Sequence, residues 1–143
     1  MATQTAISWS FIRQFNFTNP PRIVLGRSEE VDSKYKKDSK IIKKNGGAKK
    51  HLEKKYLSRG NDYYMTLNNY PYYLEDGVVH YVIWFKRENF GKYNNPTEIK
   101  NIIKDYVSLN DISDKSEYIF YQNIEELRSI PSIPHLHVFM KHY

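Results

Sequence analysis

Val78-Val79-His80-Tyr81-Val82-Ile83-Trp84-Phe85-Lys86 and Pro134-His135-Leu136-His137-Val138-Phe139-Met140-Lys141 are the two stretches that decide the fold. Both are dense in β-branched and aromatic residues, the types that fit a pleated, half-buried surface. Side chains on a strand alternate between its faces. Tyr81, Ile83 and Phe85 therefore share one face with Leu136, Val138 and Met140 if the strands lie close. His80, Val82, Trp84, His135, His137 and Phe139 share the other, which places three imidazoles on one side of a sheet.

The flanking segments extend this reading. Asp62–Leu67 is a further strand, broken by Asn68-Asn69-Tyr70-Pro71, and Asp76-Gly77 is the turn that leads into the strand from Val78. Asn94-Asn95-Pro96-Thr97 opens a helix running to about Val107, with Ile99, Ile102, Ile103 and Tyr106 along one side. Glu117–Gln122 reads as a strand, Asn123–Ser129 as a short helix and Pro134–Lys141 as the last strand. The sequence predicts an α+β fold, with basic N-terminal helices ahead of a small antiparallel or mixed sheet in β-β-α-β-α-β order and helices packed on one side. At 143 residues it suits one domain, with residues 1–60 helical and basic and residues 61–143 carrying the sheet and the histidines.

Charge is concentrated at the N-terminal end. Between Arg27 and Arg59 there are twelve Lys or Arg against five Asp or Glu, a net +7, while the remainder is −1, for a total of +6. Ser28 is a helix cap, Glu29 and Glu30 suit the positive end of the dipole, and Lys43-Lys44 before Asn45-Gly46-Gly47 suit the negative end. Val31, Tyr35 and Ile42, with Ile41 beside them, form an apolar stripe. Ala48, Leu52 and Tyr56 repeat every four residues along a second helix. Two basic amphipathic helices joined by glycines offer a surface for nucleic acid through residues 27–59. The plain alternative is a solvated lysine face, and no RNA-recognition, zinc-finger or Gly-x-x-Gly signature accompanies the charge.

Thirteen tyrosines and an aromatic share of 15% are too many for a disordered chain. The absence of cysteine excludes disulfides, thiolate nucleophiles and Cys-type zinc sites. No apolar run approaches the ~20 residues that span a bilayer, and Met1–Gln14 lacks the layout of a signal peptide. These features lead to an expectation of an intracellular protein, cytoplasmic or nuclear, with no membrane partner.

Leu67-Asn68-Asn69-Tyr70-Pro71-Tyr72, the run Gly77–Lys86, the closing His135-Leu136-His137-Val138 and the N-terminal Leu25-Gly26-Arg27-Ser28 together resemble the core of an uncharacterised, largely fungal family labelled N-acetylglucosamine-induced proteins. The resemblance spans almost the whole chain, with Asn69 where the family has Asp and Tyr73 where it has Gly. It implies a fold and a site location and no reaction. More weakly, Ile133–Phe139 is similar to the last strand of the histidine-triad nucleotide hydrolases. There the middle histidine attacks the α-phosphate and would correspond to His137, but Phe139 stands where the third histidine belongs.

Histidine titrates near neutrality and serves proton transfer, phosphate handling or metal ligation. The catalytic candidates are His137 as nucleophile or general base and His135 or His80 as its proton partner. Lys86 and Arg27 are candidates to neutralise an oxyanion, and Trp84, Tyr72 and Tyr70 to stack on a base or sugar. His80, His135 and His137 are also the candidate ligands of a divalent metal if their rings share one small sphere. His51 and His142 read as surface residues. The expected function is binding or hydrolysis of a phosphate-containing small molecule or nucleotide at a histidine-lined pocket, a phosphoesterase or nucleotide hydrolase if catalytic. A nucleic-acid-binding module and a structural or assembly protein are the alternatives.

Overall fold

The computed structural model describes residues 5–143, so the first four residues of the Met1–Gln14 stretch lie outside the described residues. A short helix α1 (Trp9–Ile12) is capped by Ser8, whose side chain accepts from the Phe11 N–H. Helix α2 (Glu29–Lys44) begins where the Ser28 hydroxyl accepts from the Val31 N–H at 3.3 Å, satisfying a donor that the first turn leaves free. It stops at Asn45, and Gly46 and Gly47, with φ of 115° and 95°, turn the chain into α3 (Ala48–Tyr56). Few residues other than glycine adopt that backbone at low cost.

Strands β1 (Tyr63–Leu67) and β2 (Val78–Phe85) follow, then a 3-10 turn at Arg87–Asn89, α4 (Phe90–Tyr93), α5 (Pro96–Leu109), β3 (Glu117–Tyr121) and β4 (His135–Lys141). Asn95 caps α5 by accepting from the Glu98 N–H at 3.0 Å, with Pro96 at the first helical position. The sheet is antiparallel throughout, in the order β1-β2-β4-β3. The α+β expectation holds, and the sheet is antiparallel.

The two key strands are neighbours in the sheet, which is the condition the shared-face reading needed. His80 lies opposite Phe139, Val82 opposite His137 and Trp84 opposite His135. On the far face, Met65, Tyr81, Ile83, Phe85, Phe120, Leu136, Val138 and Met140 pack against Ile99, Ile102 and Ile103 of α5. Burying each such side chain contributes about 1.5–3 kcal/mol.

Helices on one side of the sheet is an expectation that needs correction. The histidine face is also covered, because Trp9 and Ile12 of α1 pack with Val78, Tyr121 and Phe139. Leu52, Tyr56 and Leu57 lie over Val82, Trp84 and Ile133. The apolar residues Val82, Trp84 and Phe139 between the histidines are what these helices cover. The helix expected over Asn123–Ser129 is a single 3-10 turn at Glu125–Leu127. The Arg128 Nε donates to the Asn123 carbonyl at 2.8 Å and closes the segment. No helix among the described residues is long and apolar enough to cross a membrane.

Candidate functional site

His80 and His137 are diagonal neighbours on paired strands, and His80 Nε2 lies 2.8 Å from His137 Nδ1. A backbone donor decides where their protons sit. The Tyr72 N–H donates to His80 Nδ1 at 3.1 Å, so that nitrogen holds a lone pair and the His80 proton is on Nε2. His80 Nε2 therefore donates to His137 Nδ1, which leaves the His137 proton on Nε2. The Asn123 Nδ2 lies 3.2 Å from that nitrogen and also faces the Tyr72 hydroxyl and the Leu127 carbonyl. The result is a directed chain from the Tyr72 N–H through His80 to His137, in which both rings are neutral.

Burial explains why they stay neutral. It pulls His80 down to about 3, with the positive charge of Arg27 and the neighbouring His135 acting in the same sense. His137 is held well below its ordinary value, first by burial and then by His80, His135 and Arg27. Tyr72 stacks on His137 with ring centroids 5.7 Å apart and packs against His80 and Phe139. It closes the floor of the histidine pair.

His135 is arranged differently. Its Nδ1 donates to the Ile133 carbonyl at 2.8 Å, which fixes the tautomer and leaves a lone pair on Nε2. That Nε2 makes no hydrogen bond among the described residues, although the side chain is only 5% exposed. Burial lowers its proton affinity, and the bond to Ile133 partly opposes this. Trp84 packs on the ring at 4.8 Å and is itself stacked on Tyr56, at 6.2 Å with the planes 8° apart. The Trp84 Nε1 is an enclosed donor without an acceptor among the described residues.

These groups border a cavity of about 360 Å³ between the α2–α3 hairpin and the sheet. His135, His137, Trp84 and Val82 form its floor, Tyr35, Ser39, Ile42, Leu52 and Tyr56 its roof, and Asn68, Asn69 and Tyr70 one wall. Arg27, Lys43 and Lys55 reach it with His51, and among the described residues no aspartate or glutamate lines it. Arg27 is oriented by donating from Nε to the Tyr70 carbonyl at 2.9 Å and by lying 4.2 Å over the Tyr35 ring. Tyr70 is fixed in turn by donating to Asp38 at 2.8 Å, and burial together with that bond raises its hydroxyl to about 12.

The structure thus brings together His80, His135, His137, Trp84, Tyr70 and Arg27. Lys86 is not among them: it lies past the end of β2, where its N–H donates to the Asp62 carbonyl, and it does not line the cavity. The lone pairs that His80 and His137 would offer an ion are engaged in their own chain, and among the described residues no group of three metal-binding side chains converges. His51 is exposed yet lines the cavity. His142 is tied on both ring nitrogens, to Tyr81 and Ser116.

The roof was missed in the sequence. Tyr35, Ile42, Leu52 and Tyr56 read as an ordinary buried stripe, and the signal to be found was two tyrosines within it. Asn68 and Asn123, polar residues beside strand ends, were likewise passed over.

The family described as "Protein of unknown function (DUF3605)" matches residues 9–141. This agrees with the resemblance read from the sequence as far as an uncharacterised family, and it carries neither the N-acetylglucosamine label nor a tie to the histidine-triad hydrolases. No curated protein matches the chain. A solved structure described as "Crystal Structure of HTC1" superposes with a TM-score of 0.57 at 20% identity, covering 95% of this chain and 85% of that one. At that identity the likeness is one of fold.

Proposed function

The chain belongs to the family of unknown function DUF3605, and from its own residues we propose that it binds a small anionic molecule carrying a planar ring, a phosphate-containing compound such as a nucleotide, in the cavity beneath the α2–α3 hairpin. The observation that carries this reading is the composition of the lining. Three cations, Arg27, Lys43 and Lys55, meet aromatic walls from Tyr35, Tyr56 and Trp84 with no opposing carboxylate among the described residues. A volume of about 360 Å³ falls in the usual range for a small-molecule site. Arg27 offers a fork already held in place, which favours a phosphate or carboxylate. Lys43 and Lys55 are exposed at the rim and draw anions toward it.

If the site also performs hydrolysis, His135 is the histidine placed to accept a proton, because its Nε2 lone pair is free beside the cavity. His137, the nucleophile of the sequence reading, would first have to surrender the proton on Nε2. Its Nδ1 is already accepting from His80. Recognition is therefore the primary role in this reading.

Calorimetry with adenosine 5′-monophosphate and adenosine as probes tests it. The monophosphate should bind and adenosine should bind at least tenfold more weakly. Lys43→Gln/Lys55→Gln should weaken the monophosphate, and Ser39→Trp, which fills the roof, should abolish binding while thermal stability is kept. Equal affinity for the two probes, or binding that survives Ser39→Trp, would overturn the proposal. Nucleic-acid binding is the second reading, favoured by exposed Lys36, Lys37, Lys40, Lys44 and Lys54 outside the cavity. It predicts an affinity for RNA or DNA that falls steeply with salt.

A further inference from the structure

His135 Nε2 is an acceptor without a partner among the described residues, because Nδ1 holds the ring's proton against the Ile133 carbonyl. The residue lines the cavity and is 5% exposed. Trp84 lies directly opposite in the β2–β4 register with the rings 4.8 Å apart and fixes the imidazole in place; its own Nε1 is enclosed, out of reach of the cavity. Imidazole nitrogens in such surroundings normally find partners, since an unmade bond costs about 1–3 kcal/mol.

Resting on the binding reading above, we propose that His135 recognises an aminated nitrogen heterocycle, the exocyclic amine donating to His135 Nε2 while the ligand's anionic group reaches Arg27. A ring carrying a carbonyl in place of the amine would set oxygen lone pairs against that of His135. A ring with a bare C–H there would leave the His135 acceptor unpaired. His135 is in this account the specificity-determining residue of the cavity.

The test compares adenosine 5′-monophosphate with purine riboside 5′-monophosphate, which lacks only the 6-amino group, by calorimetry on the full chain. The amino compound should bind about tenfold more tightly, the usual effect of leaving one buried group unpaired. His135→Phe should bring the ratio close to one. Because that change alters a buried residue, His135→Gln is the second variant; its carbonyl keeps an acceptor and should retain part of the preference. Equal affinities in the unaltered protein, or a preference unchanged in His135→Phe, would overturn the assignment while leaving the anion site standing. Binding of neither compound would remove the anion site and this inference with it.

Discussion

Lowering the pH from 7 to 5 should strip the protein of a large part of its stability before its carboxylates titrate. His80 is held down to about 3 by burial, whereas in the unfolded chain the same ring titrates near 6.5. A depressed folded value means that the unfolded chain takes up the proton first, so stability is fully present above about 6.5 and drains away as pH falls toward 3. Evaluated at pH 5, His80 alone accounts for a loss of about 2 kcal/mol relative to pH 7. His137 and His135 are shifted the same way and add to it. Against a total stability of about 5–15 kcal/mol this is a severe loss. Urea titrations at pH 7, 6 and 5 should show a midpoint falling by about 1 M or more, given slopes of about 1–3 kcal/mol per M. His80→Gln should be less stable at pH 7, because the Tyr72 N–H and His137 Nδ1 lose their partner, yet less sensitive to acid. A midpoint that does not move between pH 7 and 5, or the same drop in the variant, would refute the neutral histidine chain.

Two further substitutions check the frame around the site. Ile103→Ala removes a fully buried side chain from the α5 core and should cost about 2–5 kcal/mol in chemical denaturation; a loss below 1 kcal/mol would contradict the packing of α5 on the sheet. Asn95→Ala deletes the cap on Glu98 and should cost about 1 kcal/mol with little change in ligand affinity.

The faces of the histidine strands were legible because alternation fixes them, while the pairing of the two strands was a condition that alternation does not supply. One slip of register would have turned Leu136 and Val138 outward. The helix cap at Ser28, the helix start at Asn94–Thr97 and the turn at Gly46-Gly47 were legible because short-range chemistry decides them. The cavity was not. Whether Tyr35 and Ile42 rest on a core or roof a hollow depends on the spacing between α2–α3 and the sheet, which no local pattern encodes. The distinction between His137 and His135 was hidden too, because it is set by partners remote in sequence or in the backbone, the Tyr72 N–H and the Ile133 carbonyl. Lys86 was named for its charge alone, and its place past the end of β2 keeps it from lining the cavity.

The most direct measurement is a histidine-ring ¹⁵N spectrum recorded while adenosine 5′-monophosphate is added. The account predicts that His135 Nε2 starts as an unprotonated acceptor and shifts on saturation, with a smaller response from His137 and none from His142. Saturable binding that leaves the His135 resonances in place would contradict it.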